Sequence, residues 1–185
     1  MKHIMIDIET FALTPNAALA SIGAVVWDGT GWTDTFYMVV DDPDGDFSPS
    51  TIRWHGDLGN MAETVGTGTE AIHYIGALNL FSEWLRKHGA MKADAVKIWS
   101  HATFDIPVLT SAYKRAELPV GWHYRNCRDL RTLYDLAGGR PTLPEIGTTH
   151  NALDDARYQM EEVYVCYHQL GKPFADAWGA GAMPV

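Results

Sequence analysis

An α/β fold, with a mixed five-stranded sheet flanked by helices, is what this 185-residue sequence predicts. Three observations carry that reading. Short, β-branched apolar runs fill the first 40 residues, and a Gly-rich turn separates two of them. From residue 69 onward, helical apolar spacing alternates with two further short strand-like runs. No repeat, low-complexity tract or long Pro/Gly/Ser linker divides the chain, so residues 1–185 are expected to form one domain.

His3 to Ile8, Ala20 to Trp27 and Trp32 to Val40 read as the first three strands. Asp28-Gly29-Thr30-Gly31 supplies positive-φ residues for a hairpin, which makes the second and third strands antiparallel neighbours. An acidic loop from Asp41 to Asp46 follows, then a short helix near Ser50 to Leu58. From Thr69, the residues Ile72, Ile75, Leu78, Phe81, Trp84 and Leu85 share one helical face that stops at Lys87-His88-Gly89. Val96 to Trp99 reads as a buried strand, and Asp105 to Glu117 as a helix that tolerates Pro107 in its first turn. Trp122 to Cys127 is the fifth strand, and Arg128 to Leu136 a helix ending at Gly138-Gly139. Asn151 to Leu170 is the longest helix, terminated by Gly171.

Composition narrows the function classes. With 46% apolar and 20% charged residues the chain belongs with ordinary globular proteins. No stretch approaches the roughly 18 apolar residues of a membrane span, and the first residues lack a signal peptide's apolar run, so neither membrane insertion nor secretion is expected. Cys127 and Cys166 have no zinc-ligand spacing and form no disulfide framework, which fits a reducing cytoplasm. A net charge of -9 opposes nucleic-acid binding by bulk electrostatics. The charge is uneven, however: residues 1–50 hold one Lys and eight acids, whereas residues 114–140 hold six Lys or Arg and three acids.

Three clusters have the residue types that chemistry needs. Asp7 and Glu9 alternate with Ile8 at the end of the first strand, so both carboxylates leave the same face. A solvated strand end explains many such pairs, yet this one interrupts the apolar run Ile4-Met5-Ile6, where unpaired carboxylates are costly and a cation would offset the cost. Asp105, in His101-Ala102-Thr103-Phe104-Asp105, lies past the carboxyl end of a buried strand, where α/β sheets place ligand sites; it also suits a helix cap. His150-Asn151-Ala152-Leu153-Asp154-Asp155 opens the long helix. Five helical residues turn through about 500°, so His150 belongs at or before the cap and Asp155 faces the site from the second turn. Asp154, about 100° from its neighbour, is left to complement the helix dipole.

These motifs resemble those of the DEDDh 3′-5′ exonucleases. Asp7-Ile8-Glu9-Thr10 is similar to the first exonuclease motif, Ser100 to Asp105 to the second, and His150 to Asp155 to the third, while Ser21-Ile22-Gly23-Ala24 resembles the start of the family's second strand. The match covers nearly the whole chain, and the short stand-alone exoribonucleases of bacteria and phages, of the mycobacterial adenylate-preferring type, look most similar. Supporting stretches are Ser48 to Ile52 with Trp54, Trp99 to Leu109, and Arg128 to Leu133; Thr103 stands where proofreading members often carry Ala.

The resemblance implies a ribonuclease H-like fold, metal ligation by Asp7, Glu9, Asp105 and Asp155, and His150 as general base. Two Mg²⁺ or Mn²⁺ ions about 4 Å apart would stabilise the attacking and leaving oxygens of a displacement at phosphorus. An imidazole suits proton transfer at neutral pH, which is the role the resemblance gives His150. The expected partner is the 3′ end of single-stranded RNA or DNA, with RNA ahead, and a homodimer is left open. Substrate contacts are expected from Thr10, Phe11, Trp54, His101 and Phe104, with Phe11 and Trp54 stacking on bases. Core packing accounts for most of the seven Trp and six Phe. Arg115, Arg125, Arg128, Arg131 and Arg140 form the pool from which phosphate contacts would come. A non-catalytic nucleic-acid-binding relative, a ribonuclease H-like endonuclease and a DNA-directed 3′-5′ exonuclease of the proofreading or repair type are the competing readings.

Overall fold

The computed structural model describes residues 1–28, 31–57, 70–172 and 174. Within them the chain runs β1 (Lys2–Thr10), β2 (Leu19–Trp27), β3 (Trp32–Asp41), α1 (Pro49–Asp57), β4 (Ile72–His73), α2 (Tyr74–Lys87), β5 (Val96–Ser100), α3 (Asp105–Arg115), β6 (Cys127–Asp129), α4 (Leu130–Ala137) and α5 (Ala152–Gln169). The strands form one mixed sheet in the order β4-β3-β2-β1-β5-β6. β2 pairs antiparallel with β1 and β3, while β5 runs parallel to both β1 and β6. The α/β class and the antiparallel second and third strands are as the sequence predicts; Gly29, Thr30, Leu58 and Thr69 lie outside the described residues.

The described sheet has six strands, one more than expected. The addition is Ile72–His73, assigned by its apolar spacing to a helix but paired in parallel with Val40 and Asp41, so that α2 begins only at Tyr74. Two residues are too few to display a strand's alternation. The last strand also shifts from Trp122–Cys127 to Cys127–Asp129. Trp122 instead packs edge-on against Tyr113 in the core, and Tyr124–Asn126 forms a 3₁₀ turn. The Asn126 amide donates to the carbonyl oxygens of Ala90 and Lys92, which holds this turn against the loop before β5. Arg128 is therefore in the strand, and Asp129 caps α4 by accepting from the Thr132 N–H at 2.9 Å.

β1 divides the interior into two layers. Ile4, Ile6 and Ile8 join α2 and α3 residues such as Leu78, Phe81, Leu109 and Tyr113. Met5 faces the other way, toward Leu130 and Leu133 of α4 and Met160 and Val163 of α5. The period-two alternation that puts Met5 in this second layer carries Asp7 and Glu9 along the same face, where the apolar packing ends. None of the described helices is long and apolar enough to cross a membrane.

Candidate active site

Four acids from three segments converge at the carboxyl ends of β1 and β5. Asp7 and Glu9 leave β1 only 7% and 8% exposed, and Asp105, at the first residue of α3, is 2% exposed. Asp155 and His150 come from the start of α5. Asp155 lies in the first helical turn, one turn earlier than expected, because Asn151 is the cap and Ala152 the first helical residue. His150 precedes the cap with φ of +66°, a left-handed backbone that brings its ring back over the acids.

Two hydrogen bonds fix this geometry locally. The His101 N–H donates to Asp105 Oδ2 at 2.7 Å, and the His150 N–H donates to Asp155 Oδ2 at 2.9 Å. His150 Nδ1 lies 3.9 Å from Glu9 Oε1. Asp154 turns away: its carboxylate accepts from the Thr148 N–H at 3.0 Å and pairs with Arg157 at 3.1 Å, so it braces the loop that delivers His150.

The acids oppose one another's ionisation. Burial first, then the Asp105, Glu9 and Asp155 charges, holds Asp7 well above the ordinary carboxylate range. Burial and the charges of Asp155 and Asp105 push Glu9 up to about 8. Burial raises Asp105 to about 7 despite the His101 N–H and the positive Arg131, and burial also raises Asp155. Oxygen donors with this surplus of negative charge suit hard divalent cations. The ligand atoms of Asp7, His101 and Asp105 lie within 4.8 Å of one another, as do those of Glu9, His150 and Asp155. The carboxylates fit two cations, one between Asp7 and Asp105 and one between Glu9 and Asp155.

The acids line a cleft of about 580 Å³ with His101, Thr103, Phe104, Arg131 and Leu13. An apolar pocket of about 440 Å³ adjoins it, walled by Ile8, Thr10, Leu13, Thr51, Trp54 and Phe104. Trp54 is 44% exposed, and its ring meets that of His150 edge-on at 4.6 Å. The structure thus brings Thr10, Trp54, His101 and Phe104 to the cleft and its neighbouring pocket. Phe11 is not brought there: it stacks on Phe47 at 5.3 Å and meets His55 edge-on, so its ring belongs to the packing behind the pocket.

Gln159 and His55 escaped the motif reading, and Gly23 entered it only as part of the second-strand resemblance. Gln159 Nε2 donates to Asp7 Oδ1 at 2.8 Å; its spacing of four from Asp155, one helical turn, is the signal in the sequence. His55 is buried and its Nε2 bonds the Thr10 carbonyl oxygen at 3.0 Å, anchoring α1 to the end of β1. Gly23 pairs with Asp7 across the sheet and lets the first turn of α5 approach β2, since a Cβ there would lie 2.1 Å from the Ala152 carbonyl carbon. A glycine inside an apolar strand marks such close approach.

A mixed sheet with acids gathered at the ends of its central strands defines the ribonuclease H-like exonuclease class. Over residues 2–167 the chain matches the 3′-5′ exoribonuclease Rv2179c-like domain family, and it belongs to that family. Solved structures share the fold. Exonuclease I from Methylocaldum szegediense superposes with a TM-score of 0.70 at 15% identity, covering 94% of this chain and 42% of that one. Cell-death related nuclease 4 (CRN-4) gives 0.63 at 15% identity, covering 92% and 64%. The zinc-bound E. coli exonuclease I–single-stranded DNA complex gives 0.58 at 14% identity, covering 93% and 40%. The chain therefore spans about two fifths of the exonuclease I chains it resembles. No curated protein matches it.

Proposed function

We propose that the chain is a DEDDh-type 3′-5′ exonuclease that removes nucleoside 5′-monophosphates one at a time from single-stranded nucleic acid, RNA in preference to DNA. The observation that carries this reading is the convergence of Asp7, Glu9, Asp105 and Asp155 in one cleft, with His150 on its rim. The four carboxylates would hold two Mg²⁺ or Mn²⁺ ions. Such ions, when bound, stabilise the attacking and leaving oxygens of an in-line displacement at phosphorus.

His150 takes the proton of the attacking water. Its backbone is tied to Asp155 and its Nδ1 faces Glu9, so its orientation is set by the acids it serves. The apolar pocket receives the terminal base between Trp54, Leu13 and Phe104, in contact with the same Glu9 that borders both cavities. Stacking on an aromatic wall is worth about 1 to 3 kcal/mol per base and tolerates any base. A pocket of this size fits an end better than a duplex. The family's exoribonuclease designation supports RNA; the single-stranded DNA complex of the exonuclease I relative supports DNA as the second reading.

The test uses matched RNA and DNA oligomers, labelled at either end, with Mg²⁺ or Mn²⁺. A 3′ label is expected to appear at once as mononucleotide while a 5′ label gives a descending ladder, and RNA is expected to be consumed faster. Faster loss of DNA would reverse the sugar assignment, and cuts in a circular strand would defeat the exonuclease reading.

A further inference from the structure

We propose that His101 is a fifth protein ligand in the cleft, giving an imidazole nitrogen to the cation held by Asp7 and Asp105 and biasing that position toward Mn²⁺ over Mg²⁺. This inference rests on the two-cation reading and reassigns a residue expected to touch substrate. Its first support is reach. The His101, Asp7 and Asp105 donor atoms lie within 4.8 Å of one another, close to the roughly 4.2 Å between opposite ligands of an octahedral ion with bonds near 2.1 Å.

The second support is the state of the ring. His101 is half-buried, and among the described residues its ring nitrogens have no hydrogen-bond partner. Its backbone N–H is what binds Asp105, so the ring is left to face the cleft.

The third support is charge. Four carboxylates already balance two divalent cations, and an imidazole nitrogen completes coordination without adding a further negative charge. Mg²⁺ favours oxygen and keeps its waters, whereas first-row transition ions accept imidazole. A nitrogen donor therefore discriminates between ions that four carboxylates treat alike.

The experiment is pulsed electron paramagnetic resonance of Mn²⁺ added to the metal-free chain, read for ¹⁴N modulation. His150→Ala serves as background, since His150 belongs to the other triplet. ¹⁴N modulation is expected to persist in His150→Ala and to vanish when His101→Ala is added. Calorimetric titration is expected to show the ratio of Mn²⁺ to Mg²⁺ affinity falling about tenfold or more in His101→Ala, at least the cost of disturbing a ligand's supporting shell. His101→Asn repeats the test with an oxygen donor of smaller size if the alanine variant fails to fold. Mn²⁺ binding without ¹⁴N modulation in His150→Ala overturns the assignment and leaves the exonuclease reading standing. Absence of any Mn²⁺ binding to the wild type overturns both.

Discussion

Gly23→Ala, a change of one methyl group on a strand that contributes no acid, is expected to disable the site. The new Cβ would stand 2.1 Å from the Ala152 carbonyl carbon and 2.3 Å from the Leu153 nitrogen, both backbone atoms that no rotamer can move. Ordinary contact begins near 3.4 Å, so the first turn of α5 has to retreat from β2 by about 1.3 Å. That turn carries Asp155 and is preceded by His150, while Asp7 and Glu9 stay with β1. A misplacement of about 1 Å costs on the order of 10²-fold in rate. Overpacking costs about 1 to 3 kcal/mol of stability, which leaves the variant folded. The assay pairs mononucleotide release with thermal melting and Mn²⁺ titration. A folded variant with unchanged turnover would refute the claim that Gly23 sets the distance between the two halves of the site.

Asp7→Asn, Glu9→Gln, Asp105→Asn and Asp155→Asn are each expected to abolish nucleotide release and to raise the melting temperature of the metal-free chain, whereas Asp154→Ala slows release far less; the reverse order for the two adjacent aspartates would move the third motif by one residue. His150→Ala is expected to lower turnover about 10²-fold with Mn²⁺ affinity retained, as kinetics and calorimetry together can check. Gln159→Leu removes the donor to Asp7 and is expected to weaken Mn²⁺ binding about tenfold, and unaltered affinity would deny it a part in the site. In EDTA, stability is expected to fall by about 3 kcal/mol between pH 6.5 and 8.5, because folded Asp105 and Glu9 hold protons up to about 7 and about 8 that the unfolded chain has already released. Denaturant titrations across that window test the sign: stability that rises with pH contradicts it, and the window avoids the opposite effect, below pH 6.5, of buried His3, whose pKa is lowered to about 3.

The parts of the site that follow from local periodicity were legible. Alternation along one strand puts Asp7 beside Glu9, and the angular step of a helix separates Asp155 from Asp154. His150 could be placed before the cap because no helical position would let it face the acids. What periodicity cannot express is which segments touch. Gln159 reaches Asp7 across 152 positions, and Gly23 matters only because α5 crosses β2 at that point. β4 exists because Val40 and Asp41 offer a free edge, not because Ile72 and His73 have strand character. Phe11 follows the first motif directly, yet the chain turns there: its N–H donates to the Ala18 carbonyl oxygen, and its ring packs against Phe47.

The same distinction resolves how a chain of net charge -9 can meet a polyanion. Composition counts the arginines of the basic segment alike, but the structure sorts them. Arg115 is spent on buried Asp42 at 2.5 Å, Arg125 on Asp94, Arg128 on the carbonyl oxygens of Arg125 and Cys127, and Arg140 on buried Glu162. Arg131 is exposed, holds only the Thr103 hydroxyl among the described residues, at 3.3 Å, and lines the cleft. The cleft thus joins one uncommitted guanidinium to a group of acids whose sign two divalent cations would neutralise. On the proposed function, attraction for phosphate would arise at that spot and only while it is loaded, so grip is expected to depend on few phosphate contacts and to change little with salt. A protein that seizes a strand along its length needs a basic surface; one that takes a single terminal nucleotide needs only a charge that is reversed locally.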